Sequence, residues 1–218
     1  MMYLSRLRLA ARAQQSESFW NLERNPYGLH QETWRLFGAG PDAQRDFLFR
    51  IECGTEGGMT MYGLSPRPVT DKEGLWETQS KPFDPKLQAG SELSFSLRVN
   101  PTRQREGKRH DVVMDAKFAQ RLGTSELRES EDLVQAELDA WLRCRGEPNG
   151  FELLGMQAAG YRSRAFQQGR KIRTIQITTC DLDGLLVVRD PERFLSMVFR
   201  GLGPAKAFGC GLFLLRRS

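Results

Sequence analysis

One short segment of the sequence, NPYGLHQETWRLF, combines side chains that could transfer protons and stabilise negative charge. Tyr27 and His30 are three residues apart, so on a helix both could reach one substrate atom. A histidine titrates near neutral pH and can act as base or acid, which typically contributes about 10² to 10⁴ in rate. Arg35 could stabilise charge on a phosphorane. The alternative is that His30 is an ordinary boundary histidine and that Tyr27 packs on a strand.

A second candidate is the segment 201–211, GLGPAKAFGCG, which holds four glycines and one lysine ahead of the last predicted strand. Glycine lets backbone N–H groups approach a phosphate closely, and lysine adds positive charge. The spacing is not that of a Walker loop or of a dinucleotide fingerprint. The candidate phosphate contacts are Gly201, Gly203, Lys206, Gly209 and Gly211. A tight turn that needs glycine only because its backbone is crowded remains the alternative.

Positive charge is concentrated in the second half of the chain, whose overall net charge is +5. Residues 93–218 carry 21 basic and 15 acidic side chains, whereas residues 1–92 carry 11 and 12. In the stretches 153–180 and 193–218 every charged side chain is basic, which is typical of a phosphate-binding face. Arginines on an edge strand could instead prevent aggregation. The candidate RNA-binding side chains of the first stretch are Arg162, Arg164, Arg170 and Lys171.

These features together are compatible with RNA cleavage that uses no metal ion. Such cleavage needs a base for the 2′-hydroxyl proton, an acid for the leaving 5′-oxygen and positive charge beside the phosphorane. The four cysteines have no CxxC spacing and the chain has two histidines, so we expect neither a metal nor a cofactor. Because no segment reaches the length of a membrane span, and Arg6 and Arg8 interrupt the N-terminal apolar run, we expect a cytoplasmic protein.

The first half is predicted to contain a strand, a helix and two further strands. Strands are indicated by alternating apolar residues, and Pro26 suits the first position of a helix that Asn25 would cap. Residues 65–90, rich in proline and glycine, are predicted to be irregular. The expected elements are a strand at 3–9, a helix at 26–37, and strands at 47–51 and 59–64.

The second half is predicted to follow the order strand, helix, strand, strand, helix, strand. This is the ferredoxin-like pattern of RNA-recognition domains, and the first half is compatible with a degraded second copy. Residues 100–109 are expected to form a basic loop, and residues 185–188 either extend a strand or add a short one. The expected strands are 93–99, 151–166, 172–179 and 212–215, and the expected helices are 131–143 and 191–200.

Four stretches of the sequence resemble those of one known family. They are MYLSRLRL, NPYGLHQETWRLF, PFDPKLQAGSELSFSLRVNPTR followed by GKR, and VVRDPERF followed by GLGPAKAFGCGLFLLRR. They are similar to the CasE family, the endoribonucleases that process repeat RNA in type I-E CRISPR systems. The last stretch carries the glycine-rich loop that marks the repeat-associated RNA-binding superfamily.

The resemblance implies an α+β fold of two tandem ferredoxin-like (βαββαβ) domains, with expected boundaries at 1–90 and 91–218. It implies metal-independent cleavage at the 3′ base of a repeat hairpin, which leaves a 2′,3′-cyclic phosphate and a 5′-hydroxyl. It further implies that the protein retains its product and joins the other subunits of the Cascade complex.

The resemblance also assigns residues. It places Tyr27 and His30 in the catalytic positions and Arg35 where the family offers a basic side chain to the phosphate. Arg162 and Arg164 fall where the family reads the RNA stem, and the lysine and glycines of segment 201–211 match the family's loop.

The sequence departs from the family at Gln31, where some relatives have arginine, and at Gly38, where others continue the helix. A second basic contact near the scissile phosphate is therefore in doubt. A non-catalytic subunit that binds hairpin RNA is the main alternative to the nuclease. A metal-dependent nuclease or a DNA-binding regulator is a weaker one, because the sequence has no acidic metal cluster.

Overall fold

The computed structural model describes residues 1–10, 13, 26–38, 40, 44–54, 58–123, 130–168 and 173–217. For residues 26, 27, 165–168 and 173–175 it describes the backbone alone. Within these residues the chain forms two four-stranded sheets and one two-stranded sheet. No helix in this part of the chain is long and apolar enough to cross a membrane.

The first sheet is antiparallel and has the strand order β2-β3-β1-β4. This is the order of a ferredoxin-like sheet, in which the first and third strands lie in the centre. Its elements are β1 (Met2–Leu9), α1 (Pro26–Phe37), β2 (Leu48–Cys53), β3 (Met59–Ser65) and β4 (Trp76–Phe83).

Helix α1 packs on this sheet through its C-terminal turn. Leu36 and Phe37 are buried in one apolar cluster with Leu7 and Met61 of the central strands. A Cβ atom at Gly63 would overlap the ring of Phe37, so glycine at this position lets the helix approach the sheet. This packing fixes the helix that carries the predicted catalytic residues.

The second sheet has the equivalent order, β10-β5-β9-β8, and is also antiparallel. Its strands are β5 (Glu92–Val99), β8 (Phe151–Gln168), β9 (Arg173–Val188) and β10 (Phe213–Arg217). Three helices accompany them: α2 (Val112–Arg121), α3 (Ser130–Arg143) and α4 (Pro191–Arg200). Residues 185–188 extend β9 and do not form a separate strand.

The core of the second half follows the predicted alternation. In β5 the residues Leu93, Phe95, Leu97 and Val99 are buried, whereas the residues between them are more exposed. Helix α4 begins where predicted, because the Asp190 side chain accepts a hydrogen bond from a backbone N–H group of the first turn. The prediction of two tandem ferredoxin-like domains is confirmed.

Three regions of the chain differ from the sequence-based expectation. Strand β4 lies inside 65–90, which was predicted to be irregular; it is an edge strand with mostly exposed residues, so its sequence lacks apolar alternation. Residues 100–109 do not form a loop, because β6 (Thr102–Arg105) and β7 (Lys108–Asp111) pair as a short hairpin. Helix α2 was not predicted, since it buries only Val112 and Val113.

The two sheets share part of their apolar core. Leu48 and Leu64 of the first sheet belong to the cluster formed by the second half of the chain. The first sheet uses residues from 2 to 83 and the second from 92 to 217, which is compatible with the predicted boundary near residue 90. The boundary itself stays a prediction.

A partly buried charged network also joins the sheets. Asp181 of β9 accepts two hydrogen bonds, at 2.7 and 2.8 Å, from Arg98 of β5. The same guanidinium donates to the carbonyl of Ile51 in β2 at 2.9 Å. Arg50, which is 5% exposed, reaches back from β2 and donates to the Ser96 hydroxyl at 3.0 Å. These contacts hold the edge of one sheet against the other.

Candidate active site

Helix α1 places His30 at the edge of the apolar core. The ring is half-buried and meets the Trp34 ring edge-on, with their centroids 6.4 Å apart. Thr33, which is fully buried, donates its hydroxyl hydrogen bond to the His30 carbonyl at 2.8 Å. The backbone of His30 is therefore held by the helix, while its ring remains partly exposed at the surface.

The glycine-rich loop, residues 201–211, meets this histidine from the second half of the chain. The His30 ring makes a hydrogen bond with the backbone of Ala207 that favours the protonated ring. Because only an acceptor can have this effect, the Ala207 carbonyl accepts the bond from a ring N–H. The predicted catalytic histidine and the predicted phosphate-binding loop, 177 positions apart in sequence, thus lie together.

Arg45 joins the same site from the segment before β2. Its Nη2 atom is 3.5 Å from Nδ1 of His30, and its Nη1 donates to the Lys206 carbonyl at 3.3 Å. Both distances are long for hydrogen bonds, so these are weak contacts. Because a guanidinium can only donate, the contact with His30 is a hydrogen bond in the tautomer that carries its proton on Nε2.

The site favours a neutral His30. Burial and the positive charge of Arg45 lower the pKa of this imidazole, and the hydrogen bond to Ala207 partly opposes them. A pKa below 6.5 leaves the ring uncharged near pH 7, with one nitrogen free of a proton. An uncharged imidazole of this kind can accept a proton.

Sequence reasoning did not single out Arg45. The guanidinium carbon lies 4.5 Å from the centre of the Phe47 ring and 5.5 Å from that of Trp34, and burial lowers its pKa. These ring contacts hold a half-buried cation that has no acidic partner among the described residues. The available signal was the sequence Arg-Asp-Phe-Leu-Phe, in which an arginine precedes alternating aromatic residues.

Two of the four glycines of the loop are required because their surroundings are crowded. All four have positive φ angles, of 76° at Gly201 and Gly203, 81° at Gly209 and 91° at Gly211. A Cβ atom at Gly201 would lie 2.7 Å from a methyl group of Leu48, and one at Gly211 would lie 2.8 Å from a backbone carbonyl. These two glycines are thus required by crowding, which was the structural alternative, and phosphate contacts by the loop remain a prediction.

Lys206 stands in an electropositive environment. Burial and the neighbouring charges of Arg200 and Arg109 lower the pKa of its ammonium group. Arg109 belongs to β7 and Arg200 ends helix α4, so two elements direct positive charge toward the loop. Such a concentration of like charge is typical of a surface that binds a polyanion.

Arg35, predicted to face the phosphate, is instead bound by carboxylates. Its Nε and Nη2 atoms donate to Glu32 at 2.8 and 2.6 Å, and Nη1 donates to Asp71 at 2.8 Å. These acids raise the pKa of the guanidinium. Glu32 also accepts a 2.7 Å hydrogen bond from the indole of Trp76. This placement does not support the predicted role of Arg35, because its charge is already compensated.

The remaining predicted residues lie in the long hairpin, β8 and β9. Arg162 and Arg164 are exposed on β8, next to a register shift between Ala159 and Arg162. Arg170, Lys171 and the side chain of Tyr27 lie outside the described residues.

Metal and redox chemistry have few candidate residues in the described chain. Its residues contain no cluster of three or more His, Cys, Asp or Glu side chains that could hold a metal ion. All four cysteines are free thiols: Cys53 and Cys144 are exposed, and Cys180 and Cys210 are buried.

Comparison with known families identifies the family of this chain. The model of a family described as CRISPR associated protein matches residues 2–217, nearly the whole chain. The chain belongs to this family of CRISPR-associated proteins.

Two curated members of the family are similar over nearly their full lengths. The CRISPR system Cascade subunit CasE of Escherichia coli is 32% identical over 216 residues, which cover 98% of each chain. The CRISPR-associated endoribonuclease Cse3 of Thermus thermophilus is 30% identical over 204 residues, which cover 86% of this chain and 88% of the relative.

A solved structure agrees with the fold of this CRISPR-associated protein. Thermus thermophilus Cse3, bound to an RNA that represents a pre-cleavage complex, superposes with a TM-score of 0.73 at 29% identity. The match covers 99% of this chain and 98% of that one.

Proposed function

We propose that this protein is an endoribonuclease that cleaves CRISPR precursor RNA at the 3′ base of the repeat stem-loop. The observation that carries the proposal is the contact of His30 with both Arg45 and the glycine-rich loop. A proton acceptor and a cation without an acidic partner among the described residues meet there beside the glycine-rich loop, and phosphodiester cleavage needs both proton transfer and positive charge. The names of the two relatives, a Cascade subunit and an endoribonuclease, support the same activity.

The reaction is an attack of the 2′-hydroxyl on the adjacent phosphate. The 2′-oxygen forms a bond to phosphorus, the bond from phosphorus to the 5′-oxygen breaks, and the products carry a 2′,3′-cyclic phosphate and a 5′-hydroxyl. One proton leaves the 2′-hydroxyl and one is delivered to the 5′-oxygen. Neutral His30 suits the first transfer, and its conjugate acid suits the second; Tyr27, one helical turn away, is the proposed partner.

Arg45 is the proposed cation for the phosphorane. In the free protein its guanidinium contacts Nδ1 of His30 and the Lys206 carbonyl only weakly, and no acid of the described chain is paired with it. A phosphate oxygen would form stronger, charge-assisted hydrogen bonds with this guanidinium. Binding of the RNA would thereby release Nδ1 of His30 for proton transfer.

The stem of the RNA is the proposed ligand of the long hairpin. Arg162 and Arg164 project from β8 as exposed cations, and the glycine-rich loop with Lys206 would hold backbone phosphates near the cut. We further propose that the protein keeps its product and enters a Cascade complex, as the name of the Escherichia coli relative indicates. The cytoplasm, where precursor RNA is transcribed, is the expected compartment.

The test is cleavage of the repeat RNA from the protein's own locus in the presence of EDTA. The nuclease proposal predicts one cut at the 3′ base of the stem, with a cyclic phosphate end detected by mass spectrometry. RNA that is bound in a gel-shift experiment but stays intact would favour the alternative, a non-catalytic RNA-binding subunit. Cleavage that appears only after Mg²⁺ is added would contradict the metal-independent mechanism.

A further inference from the structure

The short hairpin, β6 and β7, is a basic surface to which no role has been assigned. Its turn is formed by Glu106 and Gly107, both with positive φ angles (52° and 73°), and its strands have the sequences TRQR and KRHD. Residues 103–109 are all exposed. The hairpin therefore presents a dense group of cations to solvent.

Three of these cations have no acidic partner in the part of the chain that the structure describes. Arg103 is held by the Asp115 carboxylate, to which it donates at 2.9 and 2.8 Å. Arg105, Lys108 and Arg109 form no salt bridge with any described residue of the chain. Solvated surfaces usually mix the two signs of charge more evenly, whereas residues 103–109 carry four cations and one acid, Glu106, which favours an anionic ligand.

The base of the hairpin is fixed, so these cations have a defined location. The Trp141 indole donates to the Thr102 carbonyl at 3.0 Å. At the other end, Asp111 caps helix α2 by accepting from Val113 N and Met114 N, at 2.9 and 3.1 Å. The hairpin is thus anchored on helices α2 and α3 and does not depend on a ligand for its position.

Its two flanks adjoin both predicted RNA-binding regions. On one side the charge of Arg109 acts on Lys206 in the glycine-rich loop, next to the residues that contact His30. On the other side, Asp111 accepts a 2.9 Å hydrogen bond from the Tyr161 hydroxyl of β8. Tyr161 precedes Arg162, the first arginine proposed to read the stem. The hairpin therefore bridges the cleavage site and the stem-binding strand.

We propose that Arg105, Lys108 and Arg109 bind backbone phosphates of the substrate RNA between the scissile bond and the part of the stem contacted by β8. This inference rests on the proposed function, which supplies the RNA. The contacts would be electrostatic and independent of base sequence, because the side chains are exposed cations on a turn. They would add affinity and hold the scissile phosphate near His30.

The test is a triple variant, Arg105→Gln with Lys108→Gln and Arg109→Gln. Its affinity is measured between 50 and 300 mM salt for a minimal stem-loop RNA that ends at the cut and carries a 2′-deoxy group there. We expect dissociation constants about 10- to 100-fold higher and a salt-dependence slope smaller by about 2 to 3. The matched control, Lys72→Gln with Lys81→Gln and Lys86→Gln, removes the same charge from exposed positions before β5 and should retain the wild-type slope.

An unchanged slope and affinity in the triple variant, with an unchanged melting temperature, would overturn the inference and leave the hairpin free for a protein partner. A loss seen only with RNA extended beyond the cut would also overturn it, because the contact would then be to the flanking single strand. Because the deoxy RNA reports binding alone, failure of wild-type protein to cleave normal RNA contradicts the proposed function and not this inference.

Discussion

Helix α1 has two flanks, each with one arginine: Arg35 on the flank that faces Asp71, and Arg45 on the flank that carries His30. The two arginines have opposite environments. Arg35 lies among the carboxylates of Glu32 and Asp71, which neutralise it. Arg45 lies on aromatic rings beside His30, with no acid of the described chain paired to it. The comparison shows that the presence of an arginine does not identify an anion site. An arginine that has no acidic partner among the described residues, as Arg45 has none, is the better candidate for an anion contact.

The largest loss of cleavage rate is expected on removal of His30, which lies on the same flank as Arg45. The substitution His30→Ala deletes the proposed proton-transfer group, so single-turnover cleavage should slow by about 10² to 10⁴ while RNA binding persists. The matched control is His110→Gln, at the chain's only other histidine, which should cleave within about threefold of wild type. Normal cleavage by the alanine variant would remove His30 from the mechanism.

The next effect is expected at Arg45. The substitution Arg45→Gln removes the cation proposed to stabilise the phosphorane, so cleavage at saturating enzyme should slow by about 10² to 10³. Rapid-quench kinetics at saturating protein separates this loss from weaker binding. Arg45→Lys, which keeps the charge without the planar fork, should recover part of the rate. If Arg45→Gln cleaves as fast as wild type, the two flanks are not distinguished by catalysis.

Arg35 should show the opposite behaviour, a loss of stability with little direct loss of rate. Arg35→Gln leaves the buried Glu32 and Asp71 carboxylates without their cation, which we expect to cost about 1 to 3 kcal/mol after allowing for its partial exposure. Urea denaturation measures this cost, and Gln31→Ala, exposed on the same helix, is the control. A stable Arg35→Gln protein with slow cleavage would instead support the sequence-based prediction that Arg35 contacts the phosphate.

The smallest effect is expected at Lys206, which shares its environment with other cations. Lys206→Gln should weaken RNA binding about tenfold and lower the salt-dependence slope by about 1, because one phosphate contact is lost. Filter binding across a salt series measures both quantities. A change in cleavage rate larger than that of Arg45→Gln would place the main cation on the loop instead.

The sequence predicted those parts of the molecule whose signals are local. The strand at 93–99 alternates strictly, the helix at 26–37 has its proline at the start, and both were found with nearly the predicted bounds. The loop at 201–211 was identified from its glycines. Because these signals depend on neighbours within a few residues, they can be recognised without knowledge of the fold.

The parts that were missed depend on distant contacts. Arg45 contacts His30 and Lys206, which are 15 and 161 positions away, and Arg35 is neutralised partly by Asp71, 36 positions away. Glu32, three residues before Arg35 on the same helix, is a local signal for an ion pair, but neither segment indicates the contact of Arg35 with Asp71 or that of Arg45 with His30. Strand β4 was missed because an edge strand exposes most of its residues and needs no apolar alternation.

The imidazole of His30 offers the most direct test of this account, because the protein has only two histidines. Nitrogen-15 NMR across pH 4 to 8, assigned with His110→Gln, reports both its pKa and its tautomer. Burial and Arg45 both disfavour the protonated ring, so its pKa should lie below 6.5, with the neutral ring protonated at Nε2, and should rise in Arg45→Gln. A pKa at or above 6.5 that does not respond to Arg45→Gln would contradict the proposed site.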